Sequence, residues 1–186
     1  MKKDLIEKIP IEGITAEIER RMNSVNIKLS ANKTKLEREF KLGEKISLEK
    51  KDNFLVISAK DGTKKEKRLI KTITSHIKNM VKGLKEPWVY KLEICYSHFP
   101  ISVSIDNKTK QLIIKNFFGE KMPRYVKIFD NVNVEIKGNI IEVRSYDKEL
   151  AGKQAALIEN ATRITEKDRR IFQDGIWIIE KAGKKI

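Results

Sequence analysis

The stretch "NIKLSANKTKLEREFKLGEKISLEKKDNFLVISAKDG", residues 26–62, decides the fold. Within it Ile46 and Leu48 alternate with polar residues, "KKDN" breaks the alternation and "FLVI" resumes it, the pattern of a β-hairpin. Shifted by 86 residues, the stretch meets a related one. Arg38 falls on Arg124, Lys41 on Lys127, Glu49 on Glu135, Asn53 on Asn139 and Asp61 on Asp147. The apolar Ile46, Leu48, Phe54, Leu55 and Ile57 fall on Val132, Val134, Ile140, Ile141 and Val143. In both copies a helical pattern follows the hairpin. Self-similarity at a fixed offset, with the same order of elements, marks a duplication. The fold expected is α+β: two similar domains from an internal duplication, each a small antiparallel sheet packed on one helix. The N-terminal domain is expected over residues 1–84 and the C-terminal domain over 85–186, with the boundary near residues 83–87.

Working outward, "TKKEKRLIKTITSHIKNMVKGL" sets Leu69, Ile73, Ile77, Met80 and Leu84 at helical spacing, with Gly83 where a C-terminal cap belongs. "EPWVYKLEICYSHFPISVSI" alternates at Trp88, Tyr90, Leu92, Ile94 and Tyr96 until Pro100 interrupts it. "QLIIKNFFGEKMPRYVKIF" reads as two strands around a loop at Gly119, and "NVNVEIKGNIIEVRSYD" as a hairpin turning at "KGN". "KELAGKQAALIENATRI" reads as a second helix with Leu157, Ile158 and Ala161 as core candidates. A basic turn, the short strand "IWII" and a charged tail complete the chain.

Of the 186 residues, 40% are hydrophobic, nine are glycine and four proline, a globular composition. The net charge of +14 is the strongest global clue, because such an excess repels itself unless an anionic partner neutralises it. Nucleic acid is the first candidate and an anionic membrane the second. Residues 1–86 hold 22 Lys and Arg against 13 Asp and Glu, and residues 87–186 hold 18 against 13, so the charge belongs to the folded body. The lone Cys95 excludes an intrachain disulfide and fits a cytosolic setting. "MKKDLIEKIPIEG" lacks the apolar core of a secretory leader, and no apolar run approaches the roughly 18–20 residues that span a bilayer. A soluble intracellular protein is expected.

The enzyme readings are thin. "CYSH" sets Cys95 and His98 three apart, which on a strand points them to opposite faces. Ligands for zinc are too few, and no phosphate-binding glycine motif is present. No catalytic residues, metal or cofactor are expected. Binding readings fare better. Around Gly119, "NFFGEKMPR" carries Lys115, Lys121, Arg124 and Lys127, cations suited to phosphates, with Arg124 able to bind one bidentately. Gly119 would let backbone approach backbone, and one of Phe117 and Phe118 should face the core. A second candidate is the polar face of the first helix, with Lys65, Lys67, Arg68, His76 and Asn79. A third is "ATRITEKDRRIFQDG", with Arg163, Lys167, Arg169 and Arg170, whose arginines suit planar recognition.

"TSHIKNMVKG", "YSHFPI", "NFFGEK" and "RRIFQDGIWIIEK", in this order and spacing, resemble the sixth large-subunit ribosomal protein family in its archaeal and eukaryotic branch. The resemblance spans essentially the whole chain. It implies two similar α+β domains and a structural, non-enzymatic role in the cytoplasmic ribosome. It also implies large-subunit rRNA as partner near the sarcin–ricin loop and translation-factor site, with neighbouring ribosomal proteins and translation factors nearby. Neither a membrane nor a small-molecule substrate is implied. Much of the RNA contact would fall to the C-terminal domain, through Lys121, Arg124, Arg163, Arg169 and Arg170. The first copy reads "SANKTKLEREF" at its loop, without glycine. Structured RNA is read by shape, phosphates and 2′-hydroxyls, which suits lysine and arginine with little aromatic interleaving. A free-standing nucleic-acid-binding adaptor or an enzyme of RNA metabolism is the alternative.

Overall fold

A computed structural model of the chain describes residues 3–22, 24–31, 34–43, 45–165, 167–168 and 170–186. It divides into two compact units, Met1–Glu86 and Pro87–Ile186. The dividing line falls two residues past 84/85, because the first helix carries on to Lys85.

Unit 1 contains strands β1 (Lys3–Pro10), β2 (Thr15–Arg21), β3 (Ser24–Ala31), β4 (Thr34–Lys41), β5 (Ile46–Lys51) and β6 (Phe54–Gly62), then helix α1 (Lys64–Lys85). The strands form two antiparallel sheets, ordered β1-β6-β5 and β2-β3-β4. Period-two alternation turns Val25, Ile27 and Leu29 of β3 and Leu55, Ile57 and Ala59 of β6 inward. They pack with Ile70, Ile73, Ile77, Met80 and Leu84 of α1. The helix begins with a capping box. Thr63 Oγ1 accepts from the Lys65 amide at 3.3 Å and Glu66 accepts from the Thr63 amide at 2.8 Å. Gly83 is not its cap. It is buried inside the helix, which ends at Glu86 in extended backbone (φ −140°). The following Pro87 clashes with a helical conformation at the residue before it.

Unit 2 contains β7 (Trp88–Cys95), β8 (Ser102–Asp106), β9 (Gln111–Lys115), a single 3-10 turn (Phe117–Gly119), β10 (Arg124–Lys127), β11 (Asn133–Lys137), β12 (Ile140–Ser145), helix α2 (Lys148–Ala161), β13 (Gly175–Lys181) and β14 (Lys184–Lys185). A five-stranded antiparallel sheet, β11-β12-β7-β13-β14, lies with a three-stranded one, β10-β9-β8, around a core of its own. Trp88, Tyr90, Leu92 and Ile94 face inward as expected, whereas Tyr96 lies beyond the strand end and is exposed. α2 buries Ala151, Gln154, Ala155 and Ile158, and Leu157 is 39% exposed rather than a core residue. Small residues let this helix sit close to β7. A Cβ on Gly152 would stand 3.1 Å from the Tyr90 hydroxyl. The duplicated α+β architecture is therefore present, but among the described residues each unit holds two sheets with its helix, not one. Periodicity shows strands and their inward faces; which strands pair is a non-local matter. Among the described residues no helix is long and apolar enough to cross a membrane, and no group of metal-ligating side chains gathers.

Candidate nucleic-acid interface

The loop of residues 116–123 joins β9 to β10 and is held from several sides. Asn116, Phe118 and Gly119 all have left-handed backbone, with φ of 60°, 51° and 73°. For a phenylalanine this conformation is sterically costly and persists only where neighbours over-determine it. Asn116 Nδ2 donates to the Pro100 carbonyl at 3.0 Å, and the Glu120 amide donates to the Phe117 carbonyl at 3.0 Å. Phe117, 2% exposed, is the ring that enters the core, and Phe118 stays half-buried with its ring edge-on to Phe117 at 4.8 Å. What approaches Gly119 is a ring and not backbone: a Cβ there would meet Phe99 Cε1 at 3.3 Å.

Arg124 braces this loop. Its Nε and Nη2 donate to the two oxygens of Glu120 at 2.8 and 2.5 Å, and its Nη1 donates to the Ala161 carbonyl at the end of α2 at 2.6 Å. Its guanidinium lies 4.3 Å from the centroid of the Phe117 ring. These hydrogen bonds hold the Glu120 carboxyl below its ordinary range against the opposing effect of burial. The fork expected to grip a phosphate is filled by Glu120 within the protein.

The segment of residues 162–174 lies against the loop. Buried Thr162 and Ile164 anchor its start, and the Thr162 hydroxyl accepts from the Ile176 amide at 2.9 Å. Asp168 organises its turn. It accepts from the Arg170 amide at 2.9 Å and pairs with the Arg170 guanidinium at 3.0 Å, and these contacts lower its carboxyl. Lys167 joins segment to loop, its Nζ lying 4.6 Å from the centroid of Phe118 and 4.7 Å from that of Phe172. The rings of Phe118 and Phe172 also meet edge-on at 5.9 Å.

Two regions far apart in sequence thus become one surface. Lys115, Lys121 and Lys127 are exposed on the loop and its flanking strands; Arg163, Lys167 and Arg170 are exposed on the segment. Arg169 lies outside the described residues. The helix candidates belong to unit 1. Lys65, Lys67 and Arg68 are exposed on the first turns of α1. His76 and Asn79 are half-buried and engaged by neighbours, with the His76 ring 6.0 Å from Phe40.

Sequence reasoning missed Asp174. It is 1% exposed, yet charged: its Oδ1 accepts the amides of Ser97 and His98 at 2.7 and 3.0 Å, and its Oδ2 lies 2.7 Å from His98 Nδ1. Burial pushes this carboxyl up, but the His98 amide, the His98 ring and the Ser97 amide outweigh it and bring it down to about 2. An ionised carboxylate only accepts, so the proton of this bond sits on Nδ1. In sequence, Asp174 is one half of a turn-like "DG", 76 residues from its partner, and no local signal ties the two. His98 therefore turns to Asp174 rather than to Cys95, whose thiol is pushed up by burial and by Glu93.

A family model described as Ribosomal protein L6 matches the chain twice, over residues 10–86 and 99–175. Among curated proteins, the large ribosomal subunit protein uL6 of Staphylothermus marinus is 41% identical over 95% of this chain and 94% of its own length. That of Nanoarchaeum equitans is 44% identical over 86% of each chain, and that of Methanococcus vannielii 40% identical over 96% of this chain and 94% of its own.

Proposed function

From the premise that the chain belongs to the ribosomal protein L6 family, we propose that residues 116–123 and 162–174 of unit 2 together dock it on structured large-subunit ribosomal RNA. As a large-subunit ribosomal protein of archaeal type it is part of a cytoplasmic ribonucleoprotein, serves translation, and has ribosomal RNA and other ribosomal proteins as partners. The finer reading assigns the contact to the neighbourhood of the sarcin–ricin loop and the translation-factor site, with translation factors close by. Its support is the family resemblance of "YSHFPI", "NFFGEK" and "RRIFQDGIWIIEK". The role is structural: the protein bridges RNA helices and catalyses nothing.

The observation that carries the docking surface is the joining of two sequence-distant basic segments through Lys167, Phe118 and Phe172. Lys121, Arg163, Lys167 and Arg170 stand exposed on that surface and are the phosphate contacts in this reading. Arg124 acts differently, holding the loop in the shape that presents them. The exposed Lys65, Lys67 and Arg68 of α1 form a separate, second contact from unit 1. Phosphate contacts release counterions, so free protein should bind rRNA with an affinity that falls steeply with salt. Crosslinking of purified large subunits, with sequencing of the RNA-linked peptides, tests the assignment. Crosslinks within residues 121–127 and 163–170 are expected. Crosslinks confined to α1, or absent from the large subunit, would contradict it.

A further inference from the structure

The loop of residues 96–101, between β7 and β8, touches both segments of the proposed docking surface. Asp174 holds it through the amides of Ser97 and His98 and through the His98 ring. Its Phe99 ring covers Gly119, and its Pro100 carbonyl takes the Asn116 amide group. The His98 ring also lies against Phe172, centroids 5.0 Å apart. Phe172 in turn meets Phe118 and lies beneath the Lys167 ammonium. The chain of contact runs from a buried carboxylate to an exposed cation without a break.

We infer that Asp174 and His98 are positioning residues for RNA binding, fixing residues 116–123 and 162–174 to one another so that their cations meet phosphates together. This rests on the reading of those two segments as the RNA-facing surface. Three features support a positioning role over general stabilisation. Asp174 closes one segment, and the loop it holds touches the other through Phe99 and the Pro100 carbonyl. Phe118 is held in a backbone conformation that a free loop would leave. The His98 ring is half-exposed, so removing it opens little core.

The test uses the full chain and a full-length large-subunit rRNA transcript. Three variants are compared with the parent: His98→Ala, His98→Asn and Lys167→Met. Asparagine can set an amide N–H where Nδ1 stood. His98→Ala should weaken binding about tenfold, the loss of a charge-assisted hydrogen bond that orders several contacts. It should also flatten the salt dependence by about two phosphates or more, because a whole segment disengages, whereas Lys167→Met should flatten it by about one. His98→Asn should recover most of both. In the free protein, amide exchange should rise together over residues 117–121 and 167–173 in His98→Ala while β7 and β12 stay protected. Asp174→Asn, a fourth variant, should show the same paired rise over and above any uniform rise from its lower stability. Parental binding and salt slope in His98→Ala, or exchange that rises in only one segment, would overturn the inference. A parent chain with no salt-dependent binding would overturn the RNA reading itself, and is distinguished by failing before any variant is compared.

Discussion

The strand pair β3–β4 of unit 1 and its counterpart β9–β10 of unit 2 end in different ways. In unit 1, β3 and β4 stay paired out to Ala31 opposite Thr34, and residues 32 and 33 between them lie outside the described residues. In unit 2, β9 and β10 part at Ile114 opposite Arg124, and eight residues form a loop with left-handed backbone at three positions. The two arginines occupy matching places, Arg38 opposite Ile27 and Arg124 opposite Ile114. Arg38 lies over Phe40 at 5.4 Å, while Arg124 spans Glu120, Phe117 and the end of α2. In unit 1 the backbone ladder runs unbroken from Ser24 opposite Lys41 to Ala31 opposite Thr34. The loop tip depends on side chains brought from three other parts of unit 2. The two copies share their core pairing and differ beyond these matching strands.

That contrast can be broken most strongly at Asp174. Asp174→Asn should cost about 3 kcal/mol of unfolding free energy, read by urea denaturation, because it disrupts a buried, hydrogen-bonded charge. The acid profile carries the same information. The folded carboxyl lies at about 2, below its ordinary value of 3.8. Its contribution is therefore complete above about pH 4 and lost as pH falls through 2, a difference of about 2 kcal/mol that the Asn variant should lack. Next in size, Arg124→Ala should cost about 2 kcal/mol, read by urea denaturation, through its bonds to Glu120 and Ala161. Loss of less than about 0.5 kcal/mol would remove Arg124 as the brace of the unit 2 loop. Gly119→Ala should cost about 1 kcal/mol, since it adds a Cβ at φ +73° against Phe99. Smallest is a gain in unit 1. Asp52, at φ 48°, stands where unit 2 has Gly138 at φ 60°, and Asp52→Gly should stabilise by about 0.5 kcal/mol on thermal unfolding.

Much of this was legible in the sequence where pairing is local. β5 with β6 and β11 with β12 match at the 86-residue offset: Leu48 opposite Ile57, Val134 opposite Val143. Elsewhere the offset drifts. Ile9 opposite Leu55 corresponds to Leu92 opposite Ile141, an offset of 83 in the first strand, and Ile27 corresponds to Ile114 at 87. Gaps between elements absorb such changes, so the repeat was readable in the hairpin and blurred around it. The exposed cations Lys121, Arg163, Lys167 and Arg170 could be proposed from composition and spacing. That Arg124 faces inward could not, because its acceptor Ala161 is 37 residues away. Asp174 was hidden for the same reason: a buried charge is recognised by its partners, and these come from another loop.

The most direct test compares lysine reactivity in free protein and in intact large subunits, using an amine-modifying reagent and peptide mass spectrometry. Lys121 and Lys167 of the unit 2 surface, and Lys115 and Lys127 beside it, are exposed in the chain alone, as are Lys35 and Lys41 on the unit 1 hairpin. Strong protection of Lys121 and Lys167 in the subunit, with Lys35 and Lys41 still reactive, is the expected result. Protection of the unit 1 hairpin with Lys121 and Lys167 left reactive would contradict the assignment of the RNA-facing surface to unit 2.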